Sequence, residues 1–167
     1  MIVSDVSVRH MIEQSGFTTY VFSQQPAWTE ACTITDVADP ASPGTRMFIF
    51  TCRASDSRHV VLVQSPTYNK MLGQVISQGD LVYESSNGFK LIGGGRSKWM
   101  AKILLGSASY LIKDKPSEDR IGFILASPDG TYPALAINGP LTDEELHSMI
   151  DSLMPAKAYL KAIEAGQ

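Results

Sequence analysis

The chain has 167 residues, of which 44% are hydrophobic and 19% are charged, and its formal net charge is -3 at pH 7. These proportions are typical of a folded globular protein and exclude intrinsic disorder. The acidic balance gives no overall attraction for nucleic acid or an anionic membrane surface, and the length predicts a single domain over residues 1–167.

The first predicted elements are a short helix and a half-buried strand. Asp5 is a favourable N-cap residue, Gly16 stands where a helix would stop, and the apolar residues between them recur at helical spacing. Apolar and polar residues then alternate over residues 17–23, which predicts a strand with one buried face. The chain is therefore expected to begin with a helix that leads into a strand.

Consecutive hairpins and an irregular helix are predicted next. The three strands are residues 28–37, 45–54 and 59–64. Turn-forming residues crowd the connection at residues 39–44, which favours a hairpin. Residues 65–79 then carry apolar side chains at helical spacing, but Gly73 interrupts the pattern, so we predict one irregular helix there.

Turn sequences mark two more hairpins in the second half of the chain. Asn87-Gly88 readily takes the positive φ angles of a tight turn, and Pro128-Asp129-Gly130 is a second turn sequence. The four predicted strands are residues 81–83, 89–92, 121–126 and 132–137. Between the hairpins, apolar residues at three- and four-residue steps predict a helix over residues 97–112, with Ser97 as its N-cap.

Two short helices separated by a proline end the chain. Thr142 and Glu145 form a capping box, and one apolar stripe follows as far as Leu153. Pro155 ends or kinks this helix and suits the first turn of another over residues 156–165, whose apolar side must pack on its own domain, a second copy or a partner. Strands grouped in hairpins predict an α+β fold, a mainly antiparallel meander sheet with packed helices, including the capped C-terminal helix that begins at Thr142.

Three segments of the second half carry a family resemblance. They are Gly88-Phe89-Lys90-Leu91, Gly122-Phe123-Ile124-Leu125, and the run from Ala136 to Leu153. Together they resemble an uncharacterised bacterial domain attached to anti-sigma-factor-type and sporulation-associated envelope proteins. The resemblance covers about half of the chain, implies a non-catalytic sensing or ligand-binding role outside the membrane, and brings no catalytic residues with it.

A glycine-rich segment with basic residues lies between a predicted strand and a predicted helix. It consists of Gly93, Gly94, Gly95, Arg96, Ser97 and Lys98. Glycines can turn successive backbone N–H groups toward an anion, and a helix start adds partial positive charge. The segment therefore predicts a site for phosphate, sulfate or a carboxylate, although a flexible linker has the same composition and the spacing fits neither a Walker loop nor a dinucleotide fingerprint.

The two cysteines fall on neighbouring strands of the first hairpin. Centring the turn near Ser42 places Cys32 opposite Cys52 on one face of the sheet. Their Cα atoms are then expected within the ~4.4 to 6.8 Å that a disulfide tolerates. Two interpretations stay open, a pair of reduced thiols in the core of a cytoplasmic protein or a cross-strand disulfide in a secreted one.

Catalytic chemistry is not predicted. His10, His59 and His147 lie far apart, without a second ligand at the spacing of a metal site. The acids at residues 143–145 stand where the helix dipole favours negative charge. No serine has an assignable base and orienting acid. We therefore expect no catalytic residues, no metal and no cofactor.

We interpret the chain as a soluble, non-enzymatic binding or regulatory module for an unknown small ligand or protein. The alternatives are a small enzyme whose site is assembled from distant residues and a protein-interaction module using the C-terminal helix. Weak homodimerisation stays open. No apolar run reaches the ~18 residues of a membrane span, and residues 1–8 do not form a signal peptide. A cytoplasmic location is the default, and the extracytoplasmic portion of an anchored protein is the alternative.

Overall fold

The computed structural model describes residues 2–39, 42–56, 58–94 and 121–166. Its helices are α1 (Asp5–Ser15), α2 (Pro66–Val75), α3 (Asp143–Asp151) and α4 (Ala156–Ala165), with a 3-10 turn at Ile76–Gln78. Its strands are β1 (Tyr20–Phe22), β2 (Ala31–Asp39), β3 (Ser42–Arg53), β4 (His59–Gln64), β5 (Asp80–Glu84), β6 (Lys90–Gly93), β7 (Ile121–Ala126), β8 (Ala134–Asn138) and β9 (Leu153–Pro155). Among the described residues, no helix is both long enough and apolar enough to span a bilayer.

Seven strands form one antiparallel sheet in the order β2-β3-β4-β8-β7-β6-β5. It consists of two meanders side by side. The first runs β2-β3-β4, the second runs β5-β6-β7-β8, and they join where β4 pairs with β8. The predicted α+β fold with a mainly antiparallel sheet and packed helices is confirmed, and the capped helix near the C-terminus is α3.

The sheet has an apolar core on each face, because side chains alternate along its strands. Phe48 and Phe50 of β3 point into the larger core, which α1, α3, α4 and the β1–β9 ribbon cover. Ile49 points into the smaller core, which α2 covers. The backbone of α2 lies close to the ring of Tyr132 at Gly73, where a Cβ atom would be only 2.8 Å from the ring.

A two-stranded ribbon of β1 and β9 lies beside the main sheet, and it corrects two predictions. Leu153 was expected in the apolar stripe of the α3 helix, but it belongs to β9 and pairs with Phe22. The strand predicted over residues 17–23 shortens to Tyr20–Phe22. The buried side chain of Gln64 holds the ribbon in place by accepting from the Tyr20 backbone N–H at 2.7 Å and donating to its carbonyl at 2.9 Å.

Several predicted boundaries shift. Ser4 is the N-cap of α1 instead of Asp5, which lies in the first turn. The first hairpin is tighter than expected, because β2 extends to Asp39 and β3 begins at Ser42. The helix predicted over residues 97–112 lies outside the described residues.

The C-terminal helix α4 packs on its own domain. Tyr159 is buried, and its hydroxyl accepts a hydrogen bond of 3.1 Å from the backbone of Ile2. Leu160 and Ile163 pack against the larger core. Arg9 of α1 and Glu164 of α4 form an ion pair at the surface. Of the three packing options left open for this apolar stripe, the structure shows intramolecular docking.

The first hairpin has the predicted register, with Cys32 opposite Cys52. The two sulfur atoms are joined in a disulfide, and the Cα atoms are 4.1 Å apart. This separation is slightly below the predicted range, while the predicted register and strand pairing are confirmed. The bond ties the edge strand β2 to β3.

Candidate functional site

A groove with a mixed polar and apolar lining runs along the exposed side of α3. It has two adjoining depressions of about 340 and 480 Å³, and both are open at the surface. The depressions share Gln24, Glu144, Ser148 and Ser152. The smaller one is bounded by Trp28 and the larger one by His147 and Asp151.

The sequence of α3 explains why polar side chains line this groove. Glu144, His147, Ser148 and Asp151 follow the spacing i, i+3, i+4, i+7, which places them on one face of a helix. Leu146, Met149 and Ile150 form the opposite stripe and are buried in the larger core. Burial of the apolar stripe therefore points the polar stripe outward.

The beginning of α3 follows the ordinary rules of helix stability. The predicted capping box is present, with Thr142 Oγ1 accepting from the Glu145 N–H and Glu145 Oε1 accepting from the Thr142 N–H, both at 3.1 Å. Glu145 also lies 3.8 Å from the guanidinium of Arg58, which sits over the ring of Trp28. Local helix chemistry and one ion pair account for the charge of Glu145.

The end of α3 breaks those rules. Asp151 is its last residue, at the negative pole of the helix dipole, and the last turn contains no basic residue. Its Oδ1 accepts hydrogen bonds from Tyr83 Oη at 2.7 Å and from Ser85 Oγ at 2.5 Å. The bond to Asp151, with a smaller contribution from burial, raises the pKa of the Tyr83 hydroxyl. Two hydroxyls thus orient the Asp151 carboxylate, although its negative charge at this end of the helix is unfavourable.

Asn87 connects the β5–β6 turn to the same helix end. Its Nδ2 donates to the carbonyls of Ile150 at 2.9 Å and Leu153 at 3.0 Å. Its Oδ1 accepts from the Phe89 N–H at 3.2 Å. The last carbonyls of a helix have no i+4 partner within it, and Asn87 adds a side-chain donor there, in addition to the backbone N–H of the C-cap residue Ser152. The sequence predicted Asn87 as a turn residue only.

An aromatic pair forms one wall of the larger depression. The rings of Tyr83 and His147 stack with their centroids 3.8 Å apart and their planes 7° from parallel. His147 lines the groove, while Tyr83 supports it from the edge strand β5. This contact fixes the side chain of His147, which the sequence could place only next to an apolar stripe.

Glu144 and Asp151 bring two carboxylates to the groove. Within the part of the chain that the structure describes, neither Glu144 nor Asp151 forms an ion pair. They are seven residues apart, about 10 Å along the helix axis. The groove therefore presents uncompensated negative charge, together with the hydroxyls of Ser148 and Ser152 and the amide of Gln24.

The glycine-rich segment predicted to bind an anion is described only at its start. Gly94 has a φ of 73°, and a Cβ atom there would lie 2.7 Å from Oδ2 of Asp80. A carboxylate at this position repels anions. Gly95, Arg96, Ser97 and Lys98 lie outside the described residues, so the site stays a prediction.

Among the described residues, no group of three or more His, Cys, Asp or Glu side chains is arranged to hold a metal ion. His10 pairs instead with Asp36, at 3.2 Å, and Asp36 also binds Arg46.

Comparison with known proteins assigns no relative. The chain matches no family model, no curated protein and no solved structure.

Proposed function

We propose that this chain is a non-enzymatic binding module that holds a positively charged ligand in the groove along α3. The observation that carries the proposal is Asp151. It is a carboxylate at the negative end of a helix, oriented by two hydroxyls, facing a groove and lacking a cationic partner among the described residues.

Helix stability does not account for this arrangement. A negative charge in the last turn of a helix costs roughly 0.3 to 1 kcal/mol relative to a neutral side chain. The three acids of the first turn lie at the positive end of the helix dipole and stabilise α3, whereas Asp151 lies at the negative end. A residue that is unfavourable for its own helix, and that is nevertheless held in place by hydrogen bonds from other side chains, is typical of a functional position.

The chemistry of the groove indicates an ammonium or guanidinium group as the part that is bound. Asp151 Oδ1 already accepts two hydrogen bonds, so Oδ2 faces the ligand. Hydrogen bonds between a cation and a carboxylate are roughly twice as strong as neutral ones. Ser148 and Gln24 add neutral hydrogen-bonding groups on either side.

A titration with spermidine, a simple polyamine, tests the proposal. Backbone amide signals of α3 should shift saturably, and Asp151→Asn should weaken binding about tenfold, the equivalent of one charge-assisted hydrogen bond. Asp143→Asn is the matched control, because it removes the same charge from the same helix outside the groove. Equal weakening by both variants would indicate attraction to net charge only and would overturn the proposal.

The disulfide supports the extracytoplasmic alternative for location. Cytosolic thiols are kept reduced, whereas disulfides persist in oxidising compartments. We therefore infer that the Cys32–Cys52 bond forms where the protein works. Mass spectrometry of unreduced protein alkylated directly in its native cells checks this, and alkylation of both cysteines would favour the cytoplasmic default.

A further inference from the structure

The edge strand β2 presents a backbone edge that no described strand covers. It has nine residues, and within the part of the chain that the structure describes it pairs with β3 alone. Its pairing is regular as far as Ala38, and it contains neither lysine nor proline, which commonly block the edge of a sheet. The Cys32–Cys52 disulfide holds it against β3. β2 is therefore a fixed template for a further strand.

The direction of the backbone groups along β2 follows from its pairing with β3. The carbonyl of Arg53 accepts from the Glu30 N–H at 2.8 Å, so the backbone groups of Arg53 point toward β2. Because this direction alternates along a strand, those of Cys52 point toward β4, and Cys32 faces Cys52 without backbone hydrogen bonds between them. The same alternation along β2 turns the N–H and C=O groups of four residues outward, namely Cys32, Ile34, Asp36 and Ala38.

The outward groups of β2 match those of a second copy. An antiparallel pair centred on Thr35 places Ile34 opposite Asp36. It also places Cys32 opposite Ala38. Each outward residue then faces another outward residue, which is the condition for hydrogen bonds between the two strands. Both copies use the same surface, as in a closed two-fold dimer.

The charges of β2 permit this pairing. Asp36 does not face its own copy, and its carboxylate already lies 3.2 Å from Nε2 of His10 and 2.8 Å from the guanidinium of Arg46. The other edge strand, β5, differs in this respect. Pairing of β5 with itself about its centre would place Asp80 opposite Glu84, and like charges directly opposite each other are destabilising. Charge therefore favours β2 as the edge that accepts a second copy.

The side chains at the centre of β2 also suit such an interface. Thr35 meets its own copy and Thr33 meets Val37, and both threonines are exposed. β-Branched residues favour strands, and threonine pairs across strands are stabilising. We propose that the protein forms a two-fold dimer in which β2 pairs antiparallel with β2 of a second copy about Thr35, which joins two seven-stranded sheets into one. The dimer does not depend on the ligand proposed for the groove along α3.

Sedimentation equilibrium of the full chain, from micromolar to millimolar concentration, tests the dimer. Thr35→Lys should weaken it roughly fivefold, because two like charges then face each other. Thr33→Lys is the matched control, since it adds the same charge to the same face of β2 but opposite the uncharged Val37, and it should have a smaller effect. A mixture of Thr35→Lys and Thr35→Glu should associate more tightly than either variant alone. A monomeric parent protein, or equal effects of the two lysine variants, would overturn the proposal.

Hydrogen exchange identifies what covers the edge. The outward N–H groups of Ile34 and Asp36 should become protected as the protein concentration rises, whereas the inward ones of Thr33 and Thr35 should be protected at every concentration. Protection of all four at high dilution would show that another part of the same chain covers β2. Exchange of Ile34 and Asp36 without protection at any concentration would leave the edge to a different partner. Either result overturns the proposal.

Discussion

The two edge strands of the sheet are held in different ways. β2 has nine residues, pairs with β3 along its length with one register shift between Ala38 and Asp39 at the turn end, and is joined to β3 by the Cys32–Cys52 disulfide. β5 has five residues, and its pairing with β6 shifts register between Leu81 and Tyr83. Side chains from β5 and the following turn bind α3 instead. The shorter edge, which has no disulfide, is the one beside the groove, and the polar contacts that secure it also shape the site.

Removal of the disulfide should have the largest effect on stability. With 20 residues of sequence separation, the double variant Cys32→Ser, Cys52→Ser should lose about 3 kcal/mol of unfolding free energy, because the unfolded chain gains freedom. Urea unfolding measures the loss, and a reducing agent should give the parent protein the same stability as the variant. Spermidine binding should persist in the folded variant. Loss of binding would show that the two edges are coupled.

Loss of the Asn87 side chain should be the next largest effect. Asn87→Ala removes the side-chain donor to the carbonyls of Ile150 and Leu153, and it should cost about 2 kcal/mol. Ser86→Ala, an exposed change in the same turn, is the control and should be nearly neutral. Urea unfolding compares the two variants. Equal stability of both would show that β5 is not held through α3.

Asp151→Asn should change stability little while it weakens spermidine binding about tenfold. Asparagine keeps an oxygen that accepts from Tyr83 and Ser85, and loss of the charge removes the unfavourable dipole interaction of roughly 0.3 to 1 kcal/mol. Thermal unfolding and spermidine titration measure the two properties. A variant that is clearly destabilised and still binds spermidine would reassign Asp151 to a purely structural role.

The smallest predicted effect is on the titration of Tyr83. The hydrogen bond to Asp151, and then burial, raise its pKa in the folded protein above the usual 10.0. The associated stability is therefore fully present below pH 10 and is lost as pH rises through the folded pKa. The phenolate absorbance of the parent protein minus that of Tyr83→Phe isolates this group. The same difference in an Asp151→Asn background should show a lower pKa, and an unchanged one would contradict the assigned cause.

The proposed site was only partly visible in the sequence. The spacing of Glu144, His147 and Asp151 on one helical face can be read directly, but the acids of the first turn have an ordinary explanation in the helix dipole. The signal that was missed is an acid in the last turn. The groups that orient it, Tyr83 and Ser85, are more than sixty residues away in the chain, and no local pattern connects them to α3.

Local interactions determined what the sequence could predict by itself. Some elements depend only on residues a few positions apart, so a short stretch of sequence predicts them. Examples are the β4 strand, the Asn87-Gly88 turn and the Thr142–Glu145 capping box. Only the tertiary structure decided that β1 pairs with β9, that β4 pairs with β8, and that α4 packs on α1. These contacts join distant segments, and many weak apolar contacts select them together, so no single residue pattern encodes them.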